Sequence, residues 1–301
     1  MKRQGIVIGV VNIRGGVGKT TISLNLSHIL SRAGYKVLHI DNDPQGSSSE
    51  ILRPVKENGG YLKKDEVFYL DTFSLLTQPV NVLNYIFSTD YENLDVIPNA
   101  RSTKEFFEKG SFDLQFGQLD YAGKYTAFYE NINTIRDAYD FIIIDNQPAL
   151  SEMLKLGIIA SDYVLTPAGA DLFNINTVAD THSFIELCNK KYNRKIEYLG
   201  FFLNRVTDLK DDGYCELVQF LLKTAKEFFI NIPIRFSKSI DKAGMLRMPW
   251  LVYTKKNMLI SFPNPCKDLL KLMYKELQLI DDEHKEILMK NEKNIKASYF
   301  E

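Results

Sequence analysis

The sequence is poor in cysteine and has no long apolar run. Its three cysteines in 301 residues, Cys188, Cys215 and Cys266, are widely separated. That number and spacing fit neither a disulfide framework nor a paired metal site, which predicts a reducing, cytoplasmic environment. No apolar stretch approaches the ~20 residues that a membrane-spanning helix needs. We therefore expect a protein of the cell interior without a membrane partner.

An excess of charge of either sign is absent too. The 37 basic and 38 acidic residues leave a net charge of -1. This balance excludes bulk attraction to nucleic acid or anionic lipid, so any such partner must be held by a local patch. The hydrophobic fraction of 45% and the charged fraction of 25% exclude a disordered chain.

Buried-strand patterns alternate with helical patterns along the chain. Gly5 to Ile13 is rich in β-branched residues and is typical of a strand covered on both faces. Thr20 to Ala33 has apolar residues at helical spacing, and Gly34 is expected to end this helix. Further strands are predicted at residues 36–40, 94–97, 141–145, 163–166, 198–203 and, from a weaker pattern, 231–234. This order predicts an α/β fold, a doubly wound, mostly parallel sheet with helices on both faces.

The pattern predicts one domain over residues 1–280. Two stretches that fit it poorly, 56–72 and 102–128, are predicted to be insertions at the edge or face of the sheet. A last helix is predicted from Lys267 to about Ile280. The charged tail, 281–301, is expected to extend that helix or to fray.

A glycine-rich loop follows the first strand, with the sequence Gly15-Gly16-Val17-Gly18-Lys19-Thr20-Thr21. Glycines let the backbone curl so that its N–H groups point at phosphate oxygens, and the N-terminus of the next helix adds a positive dipole end. Lys19 is expected to reach the β- and γ-phosphates, and Thr20 to offer its hydroxyl to Mg²⁺. The standard G-x-x-x-x-G-K-[ST] pattern is not met, because its first glycine falls at Ile13.

The loop resembles the deviant Walker A motif, K-G-G-x-G-K-[ST], of the ParA/MinD family of P-loop ATPases. Asp41-Asn42-Asp43-Pro44-Gln45-Gly46 is similar to the family's D-x-D-P-Q-G segment, and Phe141 to Asp145 resembles its Walker B strand. The resemblance extends from about residue 5 to residue 280. It implies a P-loop NTPase fold with ATP and Mg²⁺ as cofactors, and Gln45 favours the ParA-type partition ATPases.

The resemblance also implies individual roles. Asp43 matches the hydrolytic residue, which directs a water towards the γ-phosphate, and Asp41 supports it or the metal shell. Asp145 matches the carboxylate that holds Mg²⁺ through water, and Asn204 the asparagine that reads adenine. Each residue also has a structural alternative: a helix-capping turn for the first two aspartates, a strand-end carboxylate for Asp145 and a turn for Asn204.

Arg14 departs from the family pattern. The family has a lysine here that reaches across a dimer interface to the partner's phosphates. Arginine keeps the charge and adds a fork of donors, but it is bulkier and planar. The resemblance therefore predicts an ATP-dependent homodimer with slow hydrolysis, unless Arg14 is a surface residue without this role.

A basic stretch lies near the end of the predicted domain. Residues 235–256 contain six basic residues and one acid, Asp241. By resemblance, Arg235, Lys238 and Lys242 are candidates for non-specific contacts to DNA phosphates, which predicts a nucleoid-associated protein. An ordinary solvated face is the alternative.

The function predicted by resemblance is Mg-ATP-dependent partition of plasmid or other DNA, with a centromere-binding adaptor protein as partner. A nucleotide-switched scaffold that positions a protein cargo, with hydrolysis weakened by Arg14, is the first alternative. A metabolic P-loop ligase or kinase is the second, although no motif for a small-molecule substrate is found.

Overall fold

The computed structural model describes residues 4–56, 58–63, 72–99, 124–148, 150–256, 263–292 and 295–300. The predicted insertions therefore lie partly outside the described residues. Their described part includes a helix over Lys124–Asn133, which begins inside the second predicted insertion. Phe128 and Ile132 of this helix are fully buried in the core.

The sheet has eight strands: β1 Ile6–Val10, β2 Val37–Asn42, β3 Phe87–Ser88, β4 Leu94–Ile97, β5 Phe141–Asn146, β6 Tyr163–Gly169, β7 Glu197–Val206 and β8 Ile234–Arg235. Their order across the sheet is β3-β4-β2-β5-β1-β6-β7-β8. All neighbouring pairs are parallel except β3 and β4. The predicted doubly wound, mostly parallel sheet is confirmed.

The described α-helices are α1 Lys19–Arg32, α2 Ser47–Leu52, α3 Thr72–Thr77, α4 Lys124–Asn133, α5 Glu152–Ala160, α6 Leu172–Tyr192, α7 Asp212–Thr224, α8 Lys238–Met245, α9 Trp250–Lys256, α10 Asn264–Lys271 and α11 Asp282–Asn291. Gly34 follows α1 with φ +100°, a conformation that favours glycine, so the predicted end of the first helix is confirmed. In the described part of the chain no helix is both long and apolar enough to cross a bilayer.

Apolar side chains cover both faces of the sheet because successive strand residues point to opposite sides. Ile8 packs with α1 on one face, in a cluster that includes Leu26 and Leu30. Val7 packs on the other face, in a cluster that includes Leu154 and Ile158 of α5. With a layer of helices on each side, the loops after the parallel strands meet at one edge of the sheet.

Three predictions near the end of the chain need correction. The weak strand predicted at 231–234 is a two-residue strand, Ile234–Arg235, beside the end of β7. The last predicted helix begins earlier, at Asn264, and passes into a π-helix over Leu272–Glu276.

The described part of the tail, 281–292 and 295–300, does not extend that helix. Asp281 caps the new helix α11 by accepting a hydrogen bond from the His284 backbone N–H at 2.9 Å. Arg32 of α1 donates to Glu292 at 2.8 Å, and Phe300 is buried in the core. Capping by a carboxylate therefore starts an independent helix that packs against α1.

Candidate nucleotide site

The glycine-rich loop joins β1 to α1 in a conformation that depends on its glycines. Gly16 and Gly18 have φ of +78° and +93°, which side chains with a Cβ rarely adopt. A Cβ on Gly18 would also overlap the side-chain amide of Asn204. Two hydrogen bonds of Asn12 hold the start of the loop in place. The Asn12 side chain accepts from the Arg14 N–H at 2.8 Å and donates to the Pro167 carbonyl at 2.9 Å.

Lys19 folds back onto this loop. Its Nζ donates to the Arg14 carbonyl oxygen at 2.8 Å, and its side chain is buried. Burial lowers the pKa of Lys19 to about 8, against the opposing effect of Asp145 and Asp43. Both carboxylates are thus near enough to the ammonium group to influence its charge.

Asp41 and Asp145 face each other across β2 and β5, where they are register partners. Burial raises the pKa of Asp145, and the nearby Asp41 raises it further. Neither oxygen of Asp145 has a partner at hydrogen-bonding distance among the described residues, although the Thr20 and Ser23 hydroxyls lie near enough to favour the charged form. A buried, unpartnered carboxylate beside a threonine hydroxyl provides the oxygen donors that Mg²⁺ prefers, so these residues fit the ion.

The oxygens of Asp41 are already engaged. One accepts from the Ser49 backbone N–H at 2.9 Å and from its hydroxyl at 2.6 Å, and the other accepts from the Asp43 N–H at 3.2 Å. Burial raises the pKa of Asp41, while these hydrogen bonds oppose the shift. Of the two aspartates predicted for the metal beside Thr20, Asp145 is the one whose oxygens have no hydrogen-bond partner among the described residues.

Asp43 lies in the turn between β2 and α2. Its Oδ1 accepts from the Gln45 N–H at 2.9 Å, and its carbonyl accepts from the Gly46 N–H at 2.9 Å. The side chain is half-buried, with its second oxygen left for another partner. Asp43 therefore does stabilise a turn, as the structural alternative predicts. This turn leaves a carboxylate oxygen for a hydrolytic role.

A pocket opens beside the loop. Asn204 lies in its wall and donates to the Val17 carbonyl at 2.8 Å. Other wall residues come from distant parts of the chain and include Phe236, Met248, Trp250 and Pro265, and polar side chains such as Asn25 and Asp241 line the pocket as well. A pocket of apolar and hydrogen-bonding side chains beside the glycine loop suits a nucleoside base. No local motif marked the first four of these residues in the sequence.

Arg14 lies beside Asp171 and is open to solvent. One of its guanidinium nitrogens lies 4.0 Å from Asp171 Oδ1, and both side chains are about half exposed. Next to Asp171, Leu172 and Phe173 are 62% and 75% exposed. A solvent-facing arginine beside exposed apolar side chains is an arrangement suited to contact with another molecule.

The three candidates for DNA contact are not equivalent. Arg235 lines the pocket, and its Nε donates to Asp268 Oδ2 at 2.9 Å, so its guanidinium is engaged within the chain. Lys238 and Lys242 lie on α8 with exposed side chains. The structure thus places Arg235 in the wall of the pocket beside the glycine loop and does not favour it as a DNA contact.

Comparison with known proteins agrees with this geometry. A family model described as an AAA domain matches residues 5–198. The chain is 32% identical over 248 residues to an uncharacterised protein of Methanocaldococcus jannaschii, covering 76% of this chain and 82% of that protein. It is 26% identical over 196 residues to the chromosome-partitioning ATPase Soj of Thermus thermophilus, covering 65% and 68% of the two chains.

The chain belongs to the ParA/MinD family of P-loop ATPases. The resemblance seen in the sequence is thereby confirmed at the level of the family and its ATPase activity. Among solved structures, the ATP complex of a McdA variant from Cyanothece superposes with a TM-score of 0.70, at 18% identity, over 90% of this chain and 96% of that one. At that identity the similarity shows the shared fold. The roles of individual residues remain predictions.

Proposed function

We propose that this ATPase binds Mg-ATP between the glycine loop and the Asn204 pocket, dimerises in that state and partitions DNA to which it binds without sequence preference. The observation that carries the proposal is the buried, unpartnered Asp145 carboxylate beside the phosphate loop. Burying a charged carboxylate without a hydrogen-bond partner costs free energy, and a bound cation offsets that cost. The name of the Thermus relative supports partition as the purpose of the ATPase.

In this site Lys19, which donates to the Arg14 carbonyl, would use its other donors for the β- and γ-phosphates, and the loop N–H groups would hold the same oxygens. Thr20 and Asp145 hold Mg²⁺, which supplies charge neutralisation at the phosphates. Asp43 directs a water towards the γ-phosphate, and Asn204 orients the base. Because phosphoryl transfer depends on positioning and charge stabilisation, this set is sufficient for slow hydrolysis.

Dimerisation is supported by what surrounds the phosphate loop. Arg14 and Asp171 are exposed, and Leu150, Leu172 and Phe173 present apolar surface to solvent. Pro148 lies near Gly15, since a Cβ placed on that glycine would come within 4.0 Å of the Pro148 Cβ, so the segment after β5 runs close to the loop. A nucleotide in the loop can therefore change the surface that a second copy meets, with Arg14 reaching the partner's phosphates.

DNA contact is proposed for Lys238 and Lys242 on α8. This helix also borders the nucleotide pocket through Asp241 and Gly244. Two lysines per copy form a weak patch on a chain of net charge -1, and pairing two copies doubles it. A centromere-binding adaptor is the proposed partner that stimulates hydrolysis and releases the DNA.

One observation favours positioning of a protein cargo as a second candidate. Because Arg235 is bound to Asp268, only two of the three predicted cations face solvent as lysines on α8. An ATPase with fewer cations free for DNA than those three can use the same nucleotide cycle to position a protein. In that case the adaptor protein binds the protein cargo and does not bind a centromere.

The decisive experiment measures binding to a fluorescent DNA duplex of arbitrary sequence with ATP, with ADP and without nucleotide. The proposal predicts binding with ATP that weakens steeply as salt is raised, because the contacts are to phosphates. Replacing both Lys238 and Lys242 with alanine should remove it, whereas the control Lys223→Ala on α7 should not. Absence of DNA binding with ATP, in a protein that still hydrolyses ATP, would favour the protein-cargo function.

A further inference from the structure

Two buried asparagines occupy equivalent positions at the edge of the sheet where the site lies. Asn42 ends β2 and Asn146 ends β5, and they are register partners. Both are almost completely buried. Each adjoins an aspartate of the proposed site, since Asn42 precedes Asp43 and Asn146 follows Asp145. Successive strand residues point to opposite faces, so the amides lie on the face away from Asp41 and Asp145.

The two side chains form a connected network. The Asn42 Nδ2 donates to Asn146 Oδ1 at 2.9 Å and to the Met153 carbonyl in the first turn of α5 at 3.0 Å. The Asn146 Nδ2 lies 3.4 Å from the Val10 carbonyl, at the end of β1, and 3.3 Å from the Ile144 carbonyl. The network therefore links the ends of β1, β2 and β5 to one another and to α5.

Gly157 allows α5 to approach this network closely. A Cβ at that position would overlap Asn146 Oδ1 and lie 2.7 Å from Asn42 Nδ2. The helix is thus in direct contact with the amide pair, and no larger residue fits between them. At its N-terminus, Ser151 accepts hydrogen bonds from the Leu154 N–H and from the Gln147 side chain.

The three linked strands precede the three loops of the proposed site. The phosphate loop follows β1, the Asp43 turn follows β2, and the segment from Gln147 to Ser151 follows β5 and leads into α5. Packing alone does not require amides here, because replacing two bonded polar partners with apolar ones of similar shape can leave stability nearly unchanged. Hydrogen bonds add defined distances and directions, which apolar contacts do not.

We propose that Asn42 and Asn146 are positioning residues for ATP hydrolysis, whose amide pair sets the separation of Asp43 and Asp145. This inference rests on the roles proposed above for the two aspartates. It assigns the pair no contact with nucleotide or water. Its effect is on the rate of the hydrolytic step and not on the affinity for ATP.

The test compares Asn42→Ala, Asn146→Ala and the double variant with Asn131→Ala as a matched control. Asn131 of α4 is also buried, and its Nδ2 donates to the Leu75 and Gln78 carbonyls at 2.7 and 2.9 Å, away from the strand ends. All four variants lose a buried amide and should be destabilised. Steady-state hydrolysis is measured without DNA, and the affinity for a non-hydrolysable ATP analogue by calorimetry.

We expect Asn42→Ala and Asn146→Ala to lower kcat by about 10- to 100-fold, since displacements near 1 Å have effects of this size. Analogue affinity should change by less than about threefold, because the phosphate loop still binds the nucleotide. The double variant should lose little more than the worse single variant, since one connected pair is removed. Asn131→Ala should keep kcat within about twofold of the unmodified protein, because Asn131 lies away from the strand ends that carry the proposed site.

Two results would overturn the inference. Either the asparagine variants lose no more kcat than Asn131→Ala, or their losses multiply in the double variant as for independent sites. An unmodified chain that hydrolyses no ATP contradicts the proposed function itself. A chain that hydrolyses ATP but tolerates both substitutions contradicts only the positioning pair.

Discussion

The ammonium group of Lys19 donates a 2.8 Å hydrogen bond to the main-chain carbonyl of Arg14, five residues earlier. Lys19 is predicted to contact the phosphates of its own copy, and Arg14 those of the partner copy. The hydrogen bond thus joins these two residues within one copy. An ammonium group has three donors, so Lys19 can keep this bond and still donate to phosphate oxygens. The side chain of Lys19 is therefore held against its own loop.

The first prediction concerns Lys19. Lys19→Ala should weaken ATP binding by about 100-fold or more, because a charge-assisted contact to the phosphates is lost at a buried position. Isothermal titration calorimetry with ATP and Mg²⁺ measures this. Lys223→Ala, an exposed lysine of α7, is the control and should bind as the unmodified protein does. Undiminished binding by Lys19→Ala would contradict the assignment of the loop.

The second prediction concerns Asp43. Asp43→Ala should bind ATP but hydrolyse it on the order of 100-fold more slowly, because the residue that directs the water is missing. The ATP-bound dimer should then accumulate in sedimentation velocity. Asp208→Ala is a close control, because Asp208 Oδ1 also accepts a hydrogen bond from the backbone N–H two residues later, at 2.8 Å. Equal turnover in the two variants would place the hydrolytic role elsewhere.

The third prediction concerns Arg14. Arg14→Ala should dimerise at least about tenfold more weakly with ATP, through loss of a charged contact across the interface. ATP affinity of the monomer should stay unchanged, because the half-exposed guanidinium beside Asp171 is predicted to contact only the partner's phosphates. Arg14→Lys should restore dimerisation by restoring the charge, and Asp171→Asn should not weaken it. Sedimentation with ATP, ADP and no nucleotide shows the outcome, and a variant Arg14→Ala that dimerises normally would exclude the role across the interface.

The fourth prediction concerns pH. Burial lowers the pKa of His39 to about 3, so the folded protein keeps this side chain neutral. Below an unfolded-state pKa near 6.5, only the unfolded chain binds the proton, and stability falls as the pH falls from about 6.5 towards 3. Between about pH 7 and pH 5 the unmodified protein should lose on the order of 2 kcal/mol more unfolding free energy than His39→Asn.

Urea unfolding at the two pH values measures this difference. Ser27→Ala is the control, because it removes the 2.9 Å contact to His39 Nδ1 while leaving the histidine in place. It should lower stability at both pH values and keep the pH dependence of the unmodified protein. Parallel profiles for the unmodified protein and His39→Asn would show that His39 is not the group responsible.

The parts of the structure set by local sequence were predictable. The strand at 141–145, the helix after the glycine loop and the end of that helix at Gly34 each depend on a pattern within a few residues. The same holds for the phosphate loop, whose glycines and Lys19 lie within five residues of one another. Local pattern and fold agree in these places, so the sequence alone sufficed.

The parts that depend on distant contacts were not predictable. Phe236 and Pro265 join the nucleotide pocket only because β8 and α10 pack beside the phosphate loop. Arg235 looks like one of several surface cations until Asp268, 33 residues later, is brought against it. The Asn42 and Asn146 pair is likewise separated by 104 residues and meets only through strand register.

Trp250 gives the nucleotide pocket a built-in optical probe. It is the only tryptophan in the 301-residue sequence, and it lies in the wall of the pocket with its backbone N–H bonded to Asn25 of α1 at 2.7 Å. Ultraviolet emission excited at the long-wavelength edge, where indole absorbs and tyrosine barely does, therefore arises from this one position. Filling of the pocket can be followed in real time on the unlabelled protein, at concentrations too low for calorimetry.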